Sequence, residues 1–187
     1  ITINSDSILK GSKADALEQR FSNSRKTGEF VPSDISAAQM AIVHEFGHVV
    51  RYTLMQKAPK SLNDIEVATA KKIDPKFSAY EAPTSATSGG YFEPTAFGSY
   101  NGAGAFLADH RSGFGSVTNV GTAQERQARI AKVTSTVSRY ASTNGHELFA
   151  EVFSEAYSRD YKKLRPAAKA FYDTFDVVWG AITAQIN

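Results

Sequence analysis

The sequence predicts a mainly helical α+β domain with a small sheet, on three observations. Six segments read as helices from their apolar spacing, their caps and the breaks between them. Ile1 to Asn4 alternates as a short strand does. The segment 74–122 is rich in Gly, Ser, Ala and aromatics. A stretch of that length without structure is unusual inside a domain, so short strands or helical turns are expected on it. The chain has 187 residues, 42% hydrophobic and 21% charged, which suits one domain with its own core. That domain is taken as 1–187, with 74–122 as a loop-rich excursion.

The first helix is expected from Asp15 to Arg25, broken at Thr27-Gly28-Glu29-Phe30-Val31-Pro32. Ser33 and Asp34 are N-cap candidates for a second helix running to about Lys57. Counted at about 100° per residue, Ile42, Val43, Phe46, Val49, Val50 and Leu54 fall in one broad apolar sector. His44 and His48 lie roughly opposite, so one face is expected to serve the core and the other chemistry. Ser61 to Lys72 reads as a third helix. After the excursion, periodicity resumes from Ala123 to Tyr140, stops at Thr143-Asn144-Gly145, and returns from about His146 to Tyr161. Pro166 suits the first turn of a last helix, with Phe171, Phe175, Val178, Trp179 and Ile182 along one side.

Net charge is +2, from 21 basic and 19 acidic side chains that are well interleaved. Neither nucleic acid nor an anionic membrane is therefore an expected partner. The one basic cluster, Arg159, Lys162, Lys163, Arg165 and Lys169, reads as a solvated helix end and turn. Cysteine is absent, which removes disulfides, thiolate metal sites and cysteine nucleophiles together. No apolar run approaches a membrane span, and no phosphate-binding glycine motif occurs. The N-terminus has neither an initiator Met nor a signal-peptide pattern, so a chain cut from something longer is expected.

The chemistry is concentrated in His44-Glu45-Phe46-Gly47-His48. Two imidazoles four residues apart stack on one helical face, where both can ligate a single metal ion. Glu45 lies about 100° around the helix, near enough to act on a water at that ion. A catalytic zinc takes three protein ligands and keeps one position open, so another donor is needed. The best segment runs from Tyr140 to Glu151. There Glu147 and Glu151 lie four apart on one face, while Phe149, Val152, Phe153 and Ala156 occupy the other. Taken alone, an acidic stripe that includes Glu155 is more often the mark of a helix facing water, and its pairing with the two-histidine helix reverses that preference. His110 and His146 are expected to be surface or hydrogen-bonded imidazoles. The aromatics of the excursion, such as Tyr91 and Phe97, are expected either to line a cleft or to form a private core.

In the order and content of these motifs the chain resembles the gluzincin metallopeptidases typified by anthrax lethal factor. Similar segments occur in phage head-morphogenesis proteins and in bacterial toxin domains. The resemblance rests on the two-histidine motif, on Glu147-Leu148-Phe149-Ala150-Glu151-Val152-Phe153, and on Tyr140 seven residues before Glu147. It implies a zincin-like metallopeptidase domain holding one zinc on His44, His48 and Glu147. Glu45 would then be the general base, and Tyr140 would point its phenol at the substrate carbonyl. Glu151 would accept a hydrogen bond from the outer nitrogen of a zinc-bound histidine. The activity implied is a zinc-dependent endopeptidase acting on a protein or peptide, virion-associated or secreted as part of a larger protein. The alternative is a non-catalytic or weakly active metal-containing structural module of a phage particle or toxin. Only about 33 residues precede the metal helix. Any sheet is therefore expected to be small, or to draw on the excursion or on upstream chain.

Overall fold

The computed structural model describes residues 12–75, 123–143 and 145–183. The strand expected at Ile1 to Asn4, the excursion beyond Pro75 with its aromatics, and His110 lie outside the described residues. Six α-helices carry the rest: α1 (Ser12–Lys26), α2 (Ala37–Lys57), α3 (Pro59–Ile73), α4 (Ala123–Thr136), α5 (Gly145–Ser158) and α6 (Pro166–Thr183). Two 3₁₀ turns, Tyr140–Ser142 and Tyr161–Lys163, flank α5. The protein is mainly helical, with no sheet among the described residues. None of these helices is long and apolar enough to cross a membrane.

α1 ends in a Schellman motif. Gly28 has φ of +75°, its amide donates to the Arg25 carbonyl at 3.1 Å, and the Glu29 amide donates to Ser24 at 2.8 Å. Only glycine takes that left-handed conformation without steric cost. The carbonyls of Gly28 and Glu29 then accept from the amides of Arg139 and Tyr140 at 2.8 and 2.9 Å. This stitches the end of α1 to the turn that carries Tyr140.

α2 starts later than Ser33 or Asp34. Its N-cap is Ser36, whose hydroxyl accepts from the Gln39 amide at 3.3 Å while Gln39 Oε1 accepts from the Ser36 amide at 3.1 Å. This is the reciprocal capping box that an S-x-x-Q sequence encodes. Asp34 is used elsewhere, pairing with Lys163 at 3.0 Å, while its amide donates to Ser158 at 2.9 Å. Hydrogen bonds from Lys163 and the Asp160 amide hold the Asp34 carboxyl below its usual range.

The buried stripe of α2 also differs from the expected one. Met40, Gly47, Val50, Arg51 and Leu54 are buried, whereas Ile42, Phe46 and Val49 are exposed. His44 and His48 therefore flank the core stripe instead of lying opposite it. Two residues cause the rotation. Gly47 admits a neighbouring helix closely, and Arg51 enters the core because its charge is satisfied there. The Arg51 guanidinium lies 3.0 Å from Glu66 Oε1 on α3 and donates to His146 Nδ1 on α5 at 2.8 Å. Arg51 and Glu66 are both fully buried, and pairing is what makes such burial tolerable.

α2 packs on α5, and α3 and α5 both pack on α6. Phe149 with Phe171 and Phe153 with Phe175 join the last two through ring centroids 5.0 and 6.0 Å apart. Glu155 neither faces water nor approaches the histidines. It is buried, and Arg165 grips both of its carboxylate oxygens, the nearer at 2.6 Å, with Arg159 at 3.3 Å. The expected solvated basic cluster is thus partly turned inward. α4 stops at Thr136, short of Tyr140, because Ser138 and the amides after it bond away from the helix.

Candidate metal centre

α2 and α5 cross where each carries its candidate ligands. On α2, Gly47 sits between His44 and His48; on α5, Ala150 sits between Glu147 and Glu151. The two backbones meet at this pair, so the side chains on either side converge.

His44 Nε2 lies 3.1 Å from Glu147 Oε2 and 3.2 Å from His48 Nε2, and His48 Nε2 lies 3.4 Å from Glu147 Oε2. An ion bound tetrahedrally at zinc–ligand distances requires donors about 3.4 Å apart. The triangle fits that requirement, and two imidazoles with a carboxylate are a donor set that zinc accepts. All three side chains are partly buried.

Glu151 lies behind this triangle, fully buried. Its Oε2 accepts from the Val31 amide at 2.9 Å and from the Ser138 hydroxyl at 2.7 Å. Its Oε1 lies 3.1 Å from His44 Nδ1. A carboxylate with two other donors is an acceptor here, so His44 donates its Nδ1–H to Glu151 and Nε2 is the nitrogen that faces the centre. That nitrogen then faces His48 Nε2 and Glu147 Oε2. Three such atoms within contact distance call for a positive charge between them. The electrostatics agree. Burial by itself lowers the His44 pKa, but hydrogen bonds and charge from Glu147 and Glu151 outweigh it and raise it to about 9. Burial likewise raises Glu147, yet hydrogen bonds and charge from the two histidines bring it down to about 2. The cluster favours a cation at its centre.

Tyr140 lies beside the triangle. Its ring centroid is 5.7 Å from that of His44 and 5.2 Å from that of Phe30. Burial, then the charges of Glu147, Glu151 and Glu45, then a hydrogen bond to Glu147, raise its pKa, so the phenol stays protonated. Glu45 is exposed on α2 and shares with His44, Tyr140 and Glu151 the wall of a cavity of about 220 Å³. The remaining wall is apolar: Phe21, Phe30, Met40 and Ala41. The structure thus brings together all six residues singled out in the sequence. His146 stands apart, bonded to Arg51.

Ser138, the Val31 amide and Gly47 also shape the site, beyond the residues that the motifs point to. A glycine inside a helix is a legible signal for close packing. Ser138 gives no such signal, because its role depends on a fold that brings Glu151 and Ala141 to its hydroxyl. No family model matches the chain, and no curated protein or solved structure does either.

Proposed function

We propose that this chain is a zinc-dependent endopeptidase of the gluzincin type on a zincin-like domain. One observation carries the reading: His44, His48 and Glu147 present a triangle of donors 3.1–3.4 Å apart, with Glu151 on the outer nitrogen of His44. His44, His48 and Glu147 would hold the ion. When bound, zinc supplies the Lewis acidity that makes water nucleophilic at neutral pH and polarises a peptide carbonyl.

The chain's own residues do the rest. Glu45, exposed at the cavity wall and one residue after a ligand, takes the proton of the attacking water and delivers it to the leaving amine. Tyr140 keeps its phenolic proton and donates a hydrogen bond to the oxyanion as charge develops on the carbonyl oxygen. Glu151 fixes the His44 ring so that only one nitrogen faces the centre. The apolar wall formed by Phe21, Phe30 and Met40 suits an apolar side chain of the substrate next to the reacting bond.

The test combines metal analysis with proteolysis. Purified protein is expected to carry one zinc and to cleave members of a peptide library, with loss of activity on chelation. Glu45→Gln should retain zinc and fold but lose roughly two to four orders of magnitude in rate, since an amide cannot accept the proton. Zinc-loaded protein that cleaves no peptide would instead assign the chain to a metal-containing structural module.

A further inference from the structure

We propose that Ser138 is a positioning residue that locks the Tyr140 turn to the His44 ring through Glu151, an inference that rests on the endopeptidase reading above. The Ser138 hydroxyl is fully buried and donates to Glu151 Oε2 at 2.7 Å. It also accepts from the Ala141 amide at 2.9 Å, inside the 3₁₀ turn Tyr140–Ser142. The other oxygen of the same carboxylate takes the His44 Nδ1 proton. One buried side chain therefore holds a candidate metal ligand with one oxygen and the turn bearing the candidate oxyanion donor with the other.

The linkage has a geometric purpose. Tyr140 and His44 come from segments far apart in sequence, and an oxyanion donor must be placed within a fraction of an ångström relative to the ion. The amides of Arg139 and Tyr140 are held by the carbonyls of Gly28 and Glu29, which fixes the entry to the turn. The same segment reaches the carboxylate two residues after Glu29, where the Val31 amide donates to Glu151 Oε2 at 2.9 Å. Ser138 supplies the direct connection, because its hydroxyl touches both the Ala141 amide in the turn and the carboxylate. Without it, Glu151 loses one of the donors that fix its carboxylate, so its hold on His44 loosens, and the Ala141 amide in the turn loses its acceptor.

The test uses Ser138→Ala, with Ser138→Thr retaining the hydroxyl, in the zinc-loaded full chain. Two readouts are taken: zinc affinity by chelator competition, and kcat and KM on a cleaved peptide. Ser138→Ala is expected to weaken zinc by about tenfold, through the loosened Glu151–His44 pair. It should lower kcat by about 10–100-fold with KM nearly unchanged, and Ser138→Thr should restore both. The Ser138→Ala/Tyr140→Phe double variant should be no slower than Tyr140→Phe alone, because the serine acts through the phenol. Losses that multiply in the double variant would overturn the proposal, as would Ser138→Ala with wild-type zinc affinity and kcat. If Ser138→Ala fails to fold, Ser138→Cys keeps the volume with a weak donor and must show the same order of effects. A wild-type chain that binds zinc but hydrolyses nothing would end the endopeptidase reading alone. The zinc titration of Ser138→Ala would then still decide whether the serine supports His44.

Discussion

A Cβ placed on Gly47 would lie 3.1 Å from the Cα of Ala150, and 3.2 and 3.3 Å from two atoms of Phe153. The contact joins the backbones of α2 and α5 at the level of the donor triangle. Glycine at this position lets the two helices approach closely enough for His44, His48 and Glu147 to meet.

Gly47→Ala is therefore expected to destabilise the metal-free protein by about 1–2 kcal/mol. Alanine gains up to about 1 kcal/mol of helix propensity, but overpacking against a rigid neighbour costs about 1–3 kcal/mol. Backbone at Ala150 and the Cβ of Phe153 cannot swing aside as a side-chain tip would. Gly180 in α6 is the control, since a Cβ there meets nothing within 4 Å. Gly180→Ala should stabilise by up to about 1 kcal/mol. Thermal melts of both variants check the pair, and a Gly47→Ala variant more stable than wild type would remove Gly47 from this role.

Glu147 and Glu151 should separate by what each loss does. Glu147→Ala removes a donor of the triangle and is expected to abolish tight zinc binding. Glu151→Ala should weaken zinc by roughly 10–100-fold. In the metal-free fold the order reverses. Glu151→Ala strands the Val31 amide, the Ser138 hydroxyl and His44 Nδ1 in the interior, at roughly 3–5 kcal/mol. Chelator titration and denaturant melts of the two variants measure the two rankings. Tighter zinc in Glu147→Ala than in Glu151→Ala would exchange their roles.

The helices were legible because their signals are local. Pro166 at the start of α6, the glycine turn after α1 and the i, i+4 pairs on α2 and α5 depend only on spacing along the chain. What escaped was set by tertiary partners. Arg51 carries a charge, and its partners Glu66, fifteen residues on, and His146 on α5 satisfy it in the core while Phe46 stays outside. Together with the close approach at Gly47, that reversal turns the apolar sector of α2 away from where periodicity places it. The end of α4 was missed for a similar reason: the amides of Arg139 and Tyr140 find acceptors at Gly28 and Glu29, over a hundred residues earlier. The Ser36–Gln39 capping box was present in the sequence, and it outcompetes Ser33 and Asp34 because both of its bonds form together.

Zinc uptake should release about one proton near pH 7. In the metal-free site Glu147 and Glu151 raise His44 from 6.5 to about 9, so the folded apo protein holds a proton there that zinc must displace. The sign follows from linkage. A raised folded-state pKa stabilises the metal-free fold fully below pH 6.5, and that contribution is lost as pH rises through about 9. Zinc affinity should accordingly climb with pH across this window and level off above it. Calorimetric titration in buffers of different ionisation enthalpy counts the proton. A proton count of zero at pH 7 would mean that His44 is already neutral in the metal-free protein.

Tyr140→Phe is the most selective test of the candidate site. The phenylalanine ring preserves the packing against Phe30 and His44, at centroid distances of 5.2 and 5.7 Å. Only the hydroxyl goes, and with it the hydrogen bond to Glu147. A neutral donor lost from a half-buried position costs about 1 kcal/mol, so the melting temperature should move by only a few degrees. Zinc content should hold, because the three donors remain. The rate should not. An oxyanion donor acts where charge develops in the transition state, and removing one typically lowers kcat by two to three orders of magnitude. Steady-state kinetics on a cleaved peptide, with zinc measured in the same preparation, separates the outcomes. A fully zinc-loaded Tyr140→Phe with wild-type kcat would leave the phenol as a packing group whose hydroxyl merely orients Glu147. Loss of zinc together with rate would place its role in ligand positioning instead.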